Sequence, residues 1–150
     1  MAAYVKSMEG LQIRLARNKS ELARVLKVRE SVFVKGQNVP RDRENDGLDG
    51  YSKHAIVLLG GKAVGCARIR FIGKTAKLER IAVLAKCRGT GIGKKLMAYL
   101  ISYCRRRKAR KISMHSQHYI KGFYERFGFR QKGGIFMDAG IKHVELWRKP

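Results

Sequence analysis

A glycine-rich segment that follows an apolar run is the feature that most constrains how this 150-residue chain folds. The run Leu78–Val83 has the apolar pattern of a strand, and four residues connect it to Arg88-Gly89-Thr90-Gly91-Ile92-Gly93-Lys94. An amphipathic helical pattern then continues to about Arg107. Glycines permit positive φ angles and close approach of a ligand to the backbone. Because the first N–H groups of a helix have no helical acceptor, the segment predicts a cradle for phosphate.

Two familiar phosphate loops do not fit this spacing. A nucleoside-triphosphate loop needs one more residue between Gly89 and Gly93, and Lys95 replaces the Ser or Thr that would hold magnesium. A dinucleotide loop needs a third glycine where Lys94 stands and an acidic residue about 20 positions later, where this chain has only Arg and Lys. An ordinary glycine-rich turn into a helix is an alternative interpretation of this segment, although such a turn does not require three alternating glycines with flanking cations.

The remaining patterns predict one domain, residues 1–150, of α/β class with a mixed sheet. We expect an antiparallel meander, then a β-loop-α-β-α unit with flanking helices and a terminal hairpin. The loop that precedes the meander carries Pro40, acids and glycines. The predicted strands are 11–15, 55–59, 63–71, 77–83 and 111–115, with a hairpin over 135–147; the predicted helices are 18–33, 92–107 and 119–127, and 36–52 is predicted as an irregular loop.

Charge favours a polyanionic partner. The chain has 34 Lys and Arg against 11 Asp and Glu, a net charge of +23, and residues 80–132 contain 15 basic residues but only Glu125 as an acid. A field of this size attracts nucleic acid, acidic protein or a phosphorylated cofactor. A non-catalytic module that binds RNA or DNA through residues 80–132 is therefore the alternative to an enzyme, and an enzyme whose acceptor is bound to RNA combines the two.

Other classes of protein are disfavoured. No apolar run approaches the roughly 18 residues of a membrane span, and residues 1–10 lack the apolar core of a secretory signal. Three scattered cysteines are too few for a disulfide framework or a zinc knuckle. A strand-to-helix junction separates His115 from His118, and no third ligand accompanies them, so we predict no metal site. A cytoplasmic, membrane-free setting is expected.

Three motifs resemble a known family. The pattern Arg88-x-x-Gly91-x-Gly93 after Ile81-Ala82-Val83 resembles the acyl-CoA loop of the GNAT N-acetyltransferases. Phe123-Tyr124-Glu125-Arg126-Phe127-Gly128-Phe129 is similar to their Y-x-x-x-G-F element. The stretch from Arg29 to Pro40, Gln117 seven residues before Tyr124, and Gly140-Ile141-x-His143 resemble the ElaA-like branch. The resemblance runs from about Val28 to Trp147 and implies a GNAT-type fold.

The resemblance implies an acetyl-CoA-dependent enzyme. The pyrophosphate would lie on the glycine loop, the pantetheine along the strand edge, and an N–H near Val83 would receive the developing oxyanion. Tyr124 would protonate the departing thiolate, and Gln117 would contact the cofactor or orient the Tyr124 helix. The implied donor-binding residues are Ile81, Ala82, Val83, Arg88, Gly89, Thr90, Gly91, Ile92, Gly93, Lys94, Gln117 and Tyr124.

The acceptor would be a primary amine of a small molecule or peptide. Glu79 is the candidate base, because it stands four residues before Val83, hence on the same strand face, and is the only acid between Asp49 and Glu125. A salt bridge to nearby cations is an equal alternative for Glu79. The resemblance also implies an acceptor pocket formed by Arg29, Glu44, Asp46 and His143. The alternative for the two acids is a solvated loop, and the alternative for His143 is a structural role. The chain is expected as a monomer or homodimer.

Overall fold

A computed structural model describes residues 8–150 and contains one seven-stranded sheet, in the order β1-β2-β3-β4-β5-β7-β6. The strands are β1 Leu11–Leu15, β2 Lys53–Leu59, β3 Lys62–Ile72, β4 Thr75–Val83, β5 Lys111–Gln117, β6 Arg130–Asp138 and β7 Ile141–Arg148. The helices are α1 Lys19–Arg29, α2 Arg41–Glu44, α3 Ile92–Arg106 and α4 Lys121–Glu125. Within the described part of the chain, no helix is long and apolar enough to cross a membrane.

Helices cover both faces of the sheet. The larger core joins the apolar side of α3 to one face through residues such as Leu78, Leu96 and Leu100. A smaller core joins Val25 and Val28 of α1 to the other face. Because strand side chains alternate between faces, cluster membership shows the side to which each residue points. The two faces become the two sides of the candidate site.

The sheet confirms the predicted architecture. The antiparallel meander β2-β3-β4 and the parallel neighbour β5 occur as expected. Asn18 caps α1, since its side chain accepts a hydrogen bond from the Glu21 N–H at 2.8 Å. The terminal hairpin is longer than predicted and begins at Arg130.

Three local predictions are wrong. The first helix changes to a π-helical turn at Glu30–Lys35, which apolar spacing does not distinguish from an α-helix. The predicted loop over 36–52 contains α2 and a 3₁₀ turn at Asp49–Tyr51. The predicted helix over 119–127 is a 3₁₀ turn, His118–Ile120, followed by the five residues of α4.

Candidate active site

A β-bulge in β4 is the central feature of the site. Cys66 pairs with Ala82 and Arg68 pairs with Glu79, so Arg80 and Ile81 together face one residue of β3. Arg80 has φ +53°, in the left-handed region that L-residues rarely adopt. A bulge of this kind bends its strand and shifts the alternation of side chains by one.

The bulge overturns the argument that placed Glu79 on the same face as Val83. Leu78 belongs to the α3-side core, and Val83 packs against that same core, whereas Ala82 belongs to the α1-side core. Glu79 therefore points toward the α1 side of the sheet and Val83 toward the α3 side. The four-residue spacing fails because it assumes an uninterrupted strand.

An open slot separates the second half of β4 from β5. The parallel ladder joins β4 and β5 only as far as the pair Leu78–Met114. The Leu84 N–H donates to the Val64 carbonyl of β3 at 2.8 Å. The N–H and C=O groups of consecutive strand residues point to opposite edges of the strand. Since the Leu84 N–H points toward β3, the N–H and C=O of Val83 point away from β3, into the slot. This edge offers strand-like hydrogen bonds to an extended ligand.

The glycine loop lies at the end of this slot. Gly89 has φ +75° and open space where a Cβ would stand, and Gly91 has φ +89° as the residue that precedes α3. The first α3 hydrogen bond runs from the Lys95 N–H to the Gly91 carbonyl, at 3.1 Å. The N–H groups of residues 92–94 therefore have no helical acceptor and suit a phosphate.

Gly93 has a different role from the other two glycines. It lies inside α3, and the positive φ that glycine permits does not occur there. A Cβ at this position would come within 3.3 Å of the Phe123 ring. Gly93 thus permits α4 to pack closely against the first turn of α3.

Two side chains connect the loop to its surroundings. The Thr90 hydroxyl donates to the Cys87 carbonyl at 2.5 Å, and this bond stabilises the turn over residues 87–90. Arg88 Nε donates to the Val83 carbonyl at 3.0 Å, while the side chain stays exposed. The Arg88 guanidinium therefore spans the junction between the slot and the loop, beside the predicted phosphate cradle.

Tyr124 lies on α4, the helix that packs against the first turn of α3. Its ring packs edge-on against Phe123 at 5.1 Å and Phe129 at 6.4 Å between centroids, and only 6% of the residue is exposed. Phe123 in turn touches Gly93, so the tyrosine element and the glycine loop form one packed unit. Burial raises the pKa of the Tyr124 hydroxyl to about 12, which keeps its proton in place at neutral pH.

Gln117 and His143 lie side by side at the end of β5 and in β7. They are register partners, and Gln117 Nε2 donates to Gln37 Oε1 at 2.7 Å. His143 Nδ1 lies 2.8 Å from the Ile141 carbonyl. A carbonyl only accepts hydrogen bonds, so Nδ1 carries the proton in the neutral imidazole and Nε2 has the free lone pair.

Arg29 is enclosed by carboxylates rather than exposed in a pocket. Its guanidinium is 1% exposed and donates to Glu44 through Nε at 2.8 Å and Nη2 at 2.7 Å, and to Asp49 through Nη1 at 2.7 Å. Arg80 Nε donates to the same Glu44 carboxylate at 3.0 Å. The side chain of Arg80, the bulge residue, is thereby tied to the segment that holds the acids.

Arg68 is the centre of the same network. Also 1% exposed, it donates to both oxygens of Asp46, at 2.8 and 2.7 Å, to Asp49 at 2.9 Å and to Glu79 at 2.8 Å. Glu79 receives a second fork from Arg70, at 2.7 and 2.8 Å. Burial opposes the charged form of Glu79, but the hydrogen bonds from the two arginines outweigh it and lower the pKa of this carboxyl.

The network changes the interpretation of the predicted acceptor residues. Glu44, Asp46 and Glu79 each hold arginine. Hydrogen bonds from arginine lower the pKa of Asp46 and of Glu79, so these two carboxylates are poor proton acceptors. Sequence reasoning missed Arg68 and Arg80 as their partners. The available signal was the clustering of scarce acidic residues, because three of the 11 acids of this basic chain, Glu44, Asp46 and Asp49, lie within six residues. Arg68 also alternates with apolar residues in β3, where it is buried.

Similarity to known proteins agrees with this geometry. Residues 15–148 match the model of the acetyltransferase (GNAT) domain family. The uncharacterized N-acetyltransferase YjcF of Bacillus subtilis is 37% identical over 135 residues, covering 89% of this chain and 96% of YjcF. The crystal structure of Escherichia coli ElaA superposes with a TM-score of 0.81 at 25% identity, over 93% of this chain and 98% of ElaA. An acyl-CoA N-acyltransferase of Pseudomonas aeruginosa superposes with a TM-score of 0.82 at 23% identity, over 92% and 97% of the two chains. This chain belongs to the GNAT N-acetyltransferase family.

Proposed function

We propose that this protein transfers the acetyl group of acetyl-CoA to a primary amine in a ternary complex. The observation that carries the proposal is the open β4 edge ending at a glycine loop with free helix N–H groups. Together they match an extended ligand with a pyrophosphate at one end. Acetyl-CoA supplies a thioester whose acyl carbon an amine attacks directly.

The donor would be held mainly by backbone groups. Residues 89–94 offer N–H groups to the pyrophosphate, and Arg88 adds a guanidinium beside them. The peptide groups of Val83 pair with the pantetheine, and an N–H at this edge stabilises the oxyanion that forms during attack. Gln117 would position the β5 side of the slot through its bond to Gln37 rather than contact the reacting atoms.

Tyr124 would deliver the proton that the leaving group needs. As the amine nitrogen bonds to the acyl carbon, the C–S bond breaks and a thiolate leaves. A buried phenol that stays protonated at neutral pH is suited to neutralise that thiolate. The Tyr124 helix packs on the helix that begins at the glycine loop, which supports this assignment.

His143 is our candidate for the group that accepts the amine proton. Its neutral tautomer leaves Nε2 as a base, and it lies beside Gln117 at the β5 end of the slot. Glu79 is the weaker candidate, since two arginines hold its carboxylate and lower its pKa. We therefore propose an anchoring role for Glu79.

Calorimetric titration of acetyl-CoA in about 0.5 M salt tests the function, because diffuse charge attraction is largely screened there. We expect saturable one-to-one binding to the full chain. Gly91→Ala places a Cβ at φ +89° in the cradle and should weaken binding about tenfold or more. Gly61→Ala is the matched control: it has the same strain at φ +79° in the β2–β3 turn and should bind like the wild type. Heat that appears only at low salt, or equal binding by both variants, would contradict the proposal.

The activity of two variants tests the base, once a screen has supplied an amine acceptor. His143→Asn should lower kcat/KM about 100-fold or more and leave the dissociation constant of acetyl-CoA nearly unchanged. Glu79→Gln should lower kcat/KM far less, even where it lowers the thermal midpoint. A small loss in His143→Asn, together with a loss of about 100-fold or more in Glu79→Gln, would return the role to Glu79.

A further inference from the structure

Six exposed cations form a continuous surface at the C-terminal end of α3, which we name the α3-end surface. The turn between β3 and β4 joins the helix exit there, since the Arg110 N–H donates to the Lys74 carbonyl at 2.8 Å. Neither residues 71–78 nor residues 99–114, which build this end, include an acidic residue. Its members are Lys74, Arg105, Arg106, Arg107, Lys108 and Arg110.

These cations differ from the buried arginines of the active-site network. Arg29 and Arg68 hold carboxylates at 2.6–2.9 Å. No member of the α3-end surface forms an ion pair with a carboxylate within residues 8–150. Six like charges without counter-charges repel one another, so this arrangement weakens the folded state unless an anion binds.

The arginine side chains are partly held in place. Arg107 donates to the Tyr103 hydroxyl at 2.6 Å, and its guanidinium lies 4.6 Å from the centroid of the Phe71 ring. Arg106 donates to Ser102 at 2.8 Å and lies 6.0 Å from the Tyr99 ring. Side chains restrained before binding lose less entropy when they contact a ligand.

Lys108 stands where a helix end favours glycine. The Lys108 N–H bonds to the Arg105 carbonyl and the Ala109 N–H to the Cys104 carbonyl, the pattern of a Schellman motif, and Lys108 has φ +59°. A side chain in this conformation is strained relative to glycine. The helix dipole explains cations in the last turn of α3, but it explains neither Lys108 nor Lys74.

The α3-end surface is remote from the proposed donor site. The glycine loop includes the first turn of α3, and the 15 residues of this helix extend for about 22 Å to the opposite end. The phosphates of a ligand in the glycine loop therefore do not neutralise this surface.

We propose that the α3-end surface binds the phosphodiester backbone of nucleic acid without reading its bases. Four of the six cations are arginines, whose planar forks match phosphate oxygens in pairs. The neighbouring aromatic rings of Tyr99, Tyr103 and Phe71 already pack against arginines, so they do not stack on bases. The contact is therefore electrostatic and independent of sequence. It does not depend on the proposed acetyl transfer.

Salt-dependent binding of a fluorescein-labelled, mixed-sequence single-stranded RNA of about 20 nucleotides tests the proposal. Six phosphate contacts predict that log K falls against log salt with a slope of about −4 for the full chain. Replacing all six cations with Gln should remove most of that slope and leave acetyl-CoA binding unchanged. The control variant replaces six exposed lysines elsewhere with Gln and has the same net charge: Lys19, Lys27, Lys35, Lys53, Lys62 and Lys142.

The two variants separate a defined surface from diffuse charge. Retention of the slope by the control and its loss in the α3-end variant would support the proposal. Equal losses in both variants, or no RNA binding near about 0.15 M salt, would overturn it. Binding to vesicles rich in anionic lipid but not to RNA would overturn it as well, because it would assign the surface to a membrane.

Lys108→Gly gives a test in which folding and binding change in opposite directions. Glycine relieves the strain of the left-handed backbone, so the midpoint of unfolding in a denaturant titration should shift to a higher denaturant concentration. The same change removes one phosphate contact and should reduce the RNA salt slope by about 0.7. A more stable variant with an unchanged slope would exclude Lys108 from the contact and contradict the proposed surface.

Discussion

Replacing Tyr124 with Phe is expected to lower kcat about 100-fold or more while the dissociation constant of acetyl-CoA stays nearly unchanged. The ring remains, so its packing against Phe123 and Phe129 is preserved. Only the proton that neutralises the thiolate is lost. Steady-state turnover with the amine found by screening gives kcat, and calorimetry gives the dissociation constant.

Tyr51→Phe is the control for this change. Tyr51 is 84% exposed, so the same loss of a hydroxyl there should leave kcat unaltered. The wild-type enzyme should also keep its activity well into alkaline pH, because burial raises the pKa of Tyr124 to about 12 and the proton leaves only near that value. Unchanged kcat in Tyr124→Phe would remove the residue from the mechanism.

Replacing Arg68 with Met is expected to destabilise the fold by about 3–5 kcal/mol. The variant leaves Asp46, Asp49 and Glu79 with fewer cations in a partly buried site, and uncompensated charge there is costly. Denaturant unfolding measures the change in free energy. Arg43→Met is the control, because the pair of Arg43 with Asp138 is about half exposed and should cost no more than about 1 kcal/mol.

The same variant should change how stability depends on pH. Hydrogen bonds from Arg68 lower the pKa of Asp46; burial of Asp49 opposes its charge, but Arg29 and Arg68 lower its pKa too. A lowered carboxyl pKa gives stability that is present above about pH 4 and is lost as the pH falls below it. Arg68→Met should weaken this acid dependence. An acid limb as steep as that of the wild type, or a loss below about 1 kcal/mol, would show that the network is dispensable.

Short-range sequence patterns predicted the secondary-structure elements that build the site. The glycine loop, the helix after it and the tyrosine element each lie within a few residues of sequence, and the local physics of helix N-termini and turns applies to them directly. Gly89 and Gly91 were predicted correctly because their conformations are local. Gly93 was assigned the wrong reason, because its requirement comes from Phe123, 30 residues away.

Long-range pairing could not be predicted from the pattern. Arg68 meets Asp46 across 22 positions, and Gln117 meets Gln37 across 80. The sequence shows that Glu79 has many cations near it, which kept a salt bridge open as an alternative to a base. It does not show a bulge, because an extra residue in one strand is defined only by the count of residues in its neighbour.

That count separates what the extra residue does from what the two cores need. Deleting Arg80 would restore regular alternation, while Ile81, Ala82 and Val83 would keep their present sides of the sheet. The strand would lose the bend of the bulge and the hydrogen bond from Arg80 to Glu44. The extra residue is therefore dispensable for core packing and specific to the strand edge that borders the slot.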